Sequence, residues 1–163
     1  MNDFNVKTIN YKSDNAPYDF VESLKNTGFA ILRNHGLDND LINSVYSEWA
    51  SFFNSNKKFD YLFDIEKQDG YFPIKSENAK GYSSKDLKEF YHIYLPWGRV
   101  PKEISDKTIQ IRNDLINIGS ILLGWVNDNT PEDIKTNFSM PLNQMIKGSQ
   151  SNLLRVLHYP PVE

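Results

Sequence analysis

No cysteine occurs among the 163 residues, which excludes disulfide staples, thiolate nucleophiles and cysteine-type zinc sites. Histidine is almost as scarce, at three in the whole chain. A non-haem metal centre needs two imidazoles and a carboxylate meeting on one side of the ion. His35, His92 and His158 show no local spacing that could build one. No apolar run reaches the roughly 20 residues of a membrane helix, and no basic leader precedes an apolar signal core. Gly-rich phosphate loops, nucleophile elbows and paired-carboxylate motifs are also missing. The formal charge is −3 with basic residues scattered, so nothing marks a nucleic-acid partner. These absences leave a cysteine-free chain for which the cytoplasm is the expected compartment.

What is abundant is aromatic. Ten Phe, nine Tyr and three Trp make 13% of the chain, enough to floor a broad core or wall a pocket. The length suits one domain with a real core. Residues 4–11 alternate weakly and read as an edge strand. Pro17 opens a helix whose stripe is Phe20, Val21 and Leu24, with Gly28 as its stop. Residues 29–32 read as a short buried strand, and His35 between Asn34 and Gly36 as a local turn residue. Leu41, Ile42, Val45, Trp49, Phe52 and Phe53 fall at helical spacing. Residues 56–97 are the least regular: a short helix near Phe59, a loop rich in turn residues, then an apolar segment from Leu87 to Leu95. The longest helix is expected over about 102–127, where Ile104, Ile111, Ile118 and Trp125 recur every seven residues. Without regular flanking charges this favours an intramolecular scaffold helix over a coiled coil. Thr130 is placed to cap a further short helix.

The final stretch, residues 151–161, alternates and stops at Pro160-Pro161. Leu153, Arg155, Leu157 and Tyr159 share one face; Leu154, Val156 and His158 take the other. Both faces are largely apolar, so the strand is expected to be covered on both sides. His158, followed by Pro160 two residues on, cannot head a His-x-Asp pair.

Four pieces in order carry a resemblance. TGFAILRNHGL (27–37) is similar to the "GFF…NHG" signature of the isopenicillin-N-synthase-like Fe(II)/2-oxoglutarate oxygenases. DGYFPIKSENAKGYSSKDLKEFYHIYLPWG (69–98) resembles that family's Gly-Tyr loop and the "KE-aromatic" strand after it. LLRVLHYPP (153–161) resembles the strand that opens the catalytic jelly roll, and the flanking helices have the family's order.

The resemblance implies an α+β chain: a helix-rich N-terminal oxygenase region over 1–150, and the first strand of a distorted double-stranded β-helix over 151–163. The metal-binding half is then missing, and no metal ligand is assigned in this chain. The completed enzyme would use Fe(II) and 2-oxoglutarate, coupling oxidative decarboxylation to oxidation of a small organic substrate; neither is expected to bind tightly to this chain alone. Tyr159 matches the Tyr of the family's Asn-x-Tyr-Pro element, which contacts 2-oxoglutarate, although the Asn is Leu157 here. Ala79 and Ser83 stand where the penicillin-forming member holds its substrate with Arg and Tyr, so that substrate is not implied. Lys80, Tyr82, His92 and Tyr94 remain the candidate substrate-binding residues. The implied partner is a C-terminal oxygenase segment or a second copy of the chain, with no nucleic acid or membrane. The alternative is a stand-alone, non-catalytic binding or interaction module derived from the family.

Overall fold

The computed structural model describes residues 5–77 and 85–161. By its contacts the chain forms two compact units, one from residues 1–39 with 111–149 and the other from 40–110 with 150–163.

In the first unit, β1 (Thr8–Asn10) pairs in parallel with β2 (Ile31–Arg33), Ile9 opposite Leu32. Helix α1 (Ala16–Thr27) joins them, with Pro at its first turn, where a missing N–H costs nothing. It ends at Gly28, whose φ of 76° is left-handed and whose amide returns to the Leu24 carbonyl at 2.8 Å. Buried Ser23 ties the start to the end of this element pair. Its hydroxyl accepts from the Lys7 amide at 3.2 Å and donates to the Phe29 carbonyl at 2.6 Å. Ile9, Ala16 and Phe20 form the core with Leu122, Trp125 and Val126 of α3 (Lys107–Asp128). Phe20 meets the Trp125 ring edge-on at 5.7 Å.

Three expectations need correction here. The strand expected at 29–32 is only half buried: Phe29 and Ile31 are exposed while Ala30 and Leu32 turn to the core, because a two-residue period in a two-stranded pair turns alternate side chains to water. Helix α3 begins at Lys107 rather than near 102. Ile104 closes a turn onto the Pro101 carbonyl, and the Ser105 hydroxyl accepts from the Lys107 amide at 3.4 Å. Thr130 does not cap α4 (Glu132–Lys135); its hydroxyl donates back to Val126 at 2.6 Å and finishes α3 instead.

The second unit holds α2 (Asn39–Phe53) and a three-stranded antiparallel sheet in the order β3–β4–β5. These strands are β3 (Gly70–Phe72), β4 (Glu89–Tyr94) and β5 (Leu153–His158). The aromatic stripe of α2 is its contact with the sheet: Trp49, Phe52 and Phe53 pack with Tyr71, Tyr91 and Ile93. Trp49 lies 5.3 Å from the Tyr91 ring and donates its indole N–H to Thr108 at 2.9 Å, so its one polar atom is satisfied while buried. Strand β3 lies inside the segment read as loop. Three residues are too short to show a period, and its placement is fixed by a buried ion pair instead. Asp69 is fully buried, and its carboxylate takes Arg99 Nη2 at 2.8 Å and Nε at 3.0 Å, as well as the Arg99 amide. Gly70 follows at φ 104°, where an added Cβ would stand 2.6 Å from the Tyr61 carbonyl oxygen.

Candidate functional site

Strand alternation divides the β3–β4–β5 sheet into two faces. The register sets Glu89 opposite His158, Tyr91 opposite Val156 and Ile93 opposite Leu154. These pairs, with Tyr71, turn toward α2. The intervening pairs, Phe90 with Leu157, His92 with Arg155 and Tyr94 with Leu153, turn the other way, joined by Phe72.

The α2 face ends in a buried charged cluster. Glu89, 2% exposed, accepts from Lys58 Nζ at 2.8 Å, from the Tyr71 hydroxyl, and pairs with His158 Nδ1 at 2.7 Å. Burial alone would raise the Glu89 carboxyl, but the three hydrogen bonds outweigh it and hold the group below its usual range. Burial, together with the adjacent carboxylate, pushes the Tyr71 hydroxyl upward. The His158 ring also stacks on Phe53 at 5.3 Å and 17°. This arrangement anchors the end of β5 to the helix side, one residue before Tyr159.

The opposite face is aromatic, buried at Phe90 and His92 and open along Leu153, Leu157 and Tyr159. Phe72 stacks on Phe90 at 4.3 Å, and His92 packs 4.7 Å from Phe72 and 5.1 Å from Phe90. Tyr94 meets His92 edge-on at 6.5 Å and carries Trp97 stacked on it at 5.7 Å. Arg155 Nε donates to His92 Nε2 at 2.7 Å, while its guanidinium carbon lies 4.9 Å from the Phe90 ring centre. Burial lowers the His92 pKa, the Arg155 charge lowers it further, and a backbone hydrogen bond to Gln68 opposes them. Lys88 also reaches over Phe90, at 5.6 Å, but is neutralised by Asp86 at 2.8 Å and Glu77 at 3.6 Å. On this side Phe90 and His92 of β4 are buried, with Arg155 and Lys88 over the Phe90 ring, whereas Leu153 and Leu157 of β5 and the following Tyr159 stay 37%, 47% and 63% exposed, without the second cover expected for this strand.

Of the candidate residues, His92 and Tyr94 lie together on the open face. Tyr159 lies one residue beyond the end of β5 and is 63% exposed. Lys80 and Tyr82 lie outside the described residues. His35, read as a turn residue, is one: its Nδ1 accepts from the Leu37 amide at 3.2 Å. Sequence reasoning left out Arg155, and it missed Glu89 and Lys58. For Arg155 the signal was present in its alternation with Leu157 and Tyr159.

Among the described residues no three His, Asp or Glu side chains come together as a metal site. His92 is engaged by Arg155 and His158 by Glu89. The described residues therefore do not fit an iron centre. A groove beside α2 is lined by Ser47, Glu48, Ser51, Lys57 and Glu103, and Glu48 at its wall is already taken by Ser105 at 2.8 Å.

The family model described as "non-haem dioxygenase in morphine synthesis N-terminal" matches residues 11–114. The chain belongs to this N-terminal dioxygenase family. Its α+β architecture is that of the isopenicillin-N-synthase-like 2-oxoglutarate/Fe(II) oxygenases, whose N-terminal region it represents. A Shewanella oneidensis structure described as a candidate oxygenase is 40% identical, with TM-score 0.85 over 97% of this chain and 56% of that one. A Caulobacter crescentus protein of the 2OG-Fe(II) oxygenase family shares the fold at 24% identity and TM-score 0.65, over 96% of this chain and 57% of that one. A full-length Neurospora crassa protein, solved in complex with alpha-KG, shares it at 18% identity and TM-score 0.69, over 95% and 54%. The dioxygenase-family chain thus spans somewhat over half the length of these structures. No curated protein sequence matches it significantly. Among the described residues no helix is long and apolar enough to cross a membrane.

Proposed function

We propose that this chain is the helical N-terminal region and opening sheet of an Fe(II)/2-oxoglutarate-dependent oxygenase acting on a small organic substrate. In this reading residues 151–163 begin the jelly-roll core, and the metal ligands come from a C-terminal oxygenase segment that completes the enzyme in the cytoplasm. The observation that carries it is the open sheet face. Phe72, Phe90, His92 and Tyr94 make a continuous aromatic layer whose centre is buried, and Trp97 stacked on Tyr94, Leu153, Leu157 and Tyr159 stand exposed around it. A soluble domain seldom leaves such a surface without a use. The structural likeness to oxygenases of nearly twice this span supports the same reading.

In this role the floor excludes water from one side of the reaction chamber and orients an apolar substrate. Tyr159, presented at the strand end by the Glu89–His158 anchor, offers a hydroxyl to the co-substrate; Lys80, Tyr82, His92 and Tyr94 line the substrate side. The test is Fe(II) binding and succinate release. The expected result is that the 163-residue chain alone neither holds Fe(II) tightly nor releases succinate from 2-oxoglutarate, and that a C-terminal oxygenase segment supplied with it restores both. Micromolar Fe(II) affinity with succinate release by the chain alone overturns the reading. A second outcome bears on the stand-alone alternative: a stable monomer by sedimentation, with slow amide exchange across 153–159 and no gain from the added segment, would favour a binding module.

A further inference from the structure

We infer that Arg155 is a carboxylate-recognising residue on the open sheet face, selecting a small organic acid with a flat apolar body as the substrate of the oxygenase proposed above.

The argument starts from how the guanidinium is held. An exposed arginine normally samples many rotamers and contributes little. Arg155 is fixed twice, by Nε donating to His92 Nε2 at 2.7 Å and by its guanidinium carbon lying 4.9 Å from the Phe90 ring centre. Phe90 is itself fully buried and stacked on Phe72, so the platform does not move. The nitrogen of His92 that accepts must lack a proton, so the imidazole is neutral and cancels none of the arginine's charge. The imidazole is also too enclosed to protonate readily. With Nε occupied, the two terminal amino groups remain as a planar fork, the arrangement that receives a carboxylate end-on through two parallel hydrogen bonds.

The charge on this face points the same way. Lys88, the other cation over Phe90, is answered by Asp86 and Glu77. Arg155 has no carboxylate partner among the described ion pairs. An uncompensated cation, pre-oriented beside an aromatic floor, is a site for an anion attached to something flat. Tyr94 with the exposed Trp97 stacked on it supplies that floor, buried Phe90 and His92 back it, and exposed Leu153 and Leu157 widen it at the edge.

This inference rests on the oxygenase reading for the word substrate, but its test does not use iron or turnover. The metal-free chain, labelled at arginine Nε, is titrated with phenylacetate, phenylacetamide and 2-oxoglutarate while the Arg155 resonance is followed. Phenylacetate is expected to shift that resonance. The uncharged amide, which keeps the ring and loses the anion, should bind about tenfold more weakly or worse. Arg155→Gln should lose phenylacetate binding by a similar factor, with Arg155→Lys falling between because it keeps the charge and loses the fork. The amide comparison needs no variant, so it stands even if a substitution disturbs folding. Equal binding of acid and amide, or no shift at the highest soluble phenylacetate concentration, overturns the inference. Displacement of phenylacetate from Arg155 by 2-oxoglutarate at lower concentration would assign the fork to the co-substrate instead, and overturns the substrate assignment. Failure here would leave the iron and succinate result untouched, so the two readings fail separately.

Discussion

The same three strands present two faces, and they solve opposite problems with the same residue types. On the α2 side a carboxylate, an ammonium, a phenol and an imidazole are folded into one another around Glu89, each charge answered within the cluster. On the other side a guanidinium is propped on an aromatic ring by a neutral imidazole, with no carboxylate partner among the described residues. Buried charge is tolerable only when paired, so the first arrangement is what a folded interior demands. The second is tolerable only because water, or a ligand, completes it. Internal satisfaction marks the structural face; an oriented but unsatisfied group marks the one that receives something.

Breaking each face should therefore cost very different amounts. Glu89→Gln strands the Lys58 ammonium in a mostly buried position and is expected to destabilise the fold by about 3 kcal/mol. Arg155→Gln should stay within about 0.5 kcal/mol, since its charge is exposed. Urea unfolding of the two variants compares them directly, and equal losses would erase the distinction between the faces. Next in size is a polar substitution on adjacent residues of β5. Val156→Asn places an amide against the α2 core and should cost about 1–3 kcal/mol, whereas Leu157→Asn should be nearly neutral. If Leu157→Asn proves as costly as Val156→Asn, the open face is covered in solution, and sedimentation of the same samples would identify a second copy as the cover.

The smallest expected effect is a pH dependence. The His92 pKa is depressed in the fold from an ordinary 6.5, so the unfolded chain takes up a proton there first. Its contribution to stability is full above that value and declines as pH falls below it. His92→Gln, which keeps an acceptor for Arg155, should flatten stability across that window. Glu89 acts lower: its carboxyl is depressed from 4.5, so its contribution declines as pH falls below that point. A stability curve that keeps its slope near pH 6 in the His92 variant would assign the effect to another group.

How much of this was written in the chain depends on range. The stripe of α2 was legible because helix period and burial coincide from Leu41 to Phe53, and the faces of β5 were legible because alternation needs only neighbours. Strand β3 was not, since its position depends on Asp69 meeting Arg99, thirty positions further along the chain. The Glu89 cluster was invisible for the same reason: its partners come from positions 58, 71 and 158. His92 and Tyr94 could be named as wall residues from the family resemblance of the segment that carries them, but only the β4–β5 register shows that Arg155 stands beside one of them.

The way the two units share the chain carries a last consequence, which concerns synthesis. Residues 1–39 belong with 111–149, while 40–110 belong with 150–163. Neither unit is a continuous stretch, so neither can finish as it leaves the ribosome. At a typical elongation rate the first strand pair waits roughly ten seconds for its helical partner to emerge. During that interval Ile9, Phe20 and Leu24 have no Leu122 or Trp125 to pack against. The nascent chain is thus most exposed to chaperone capture and to mispairing early, and the second unit closes only once β5 has emerged.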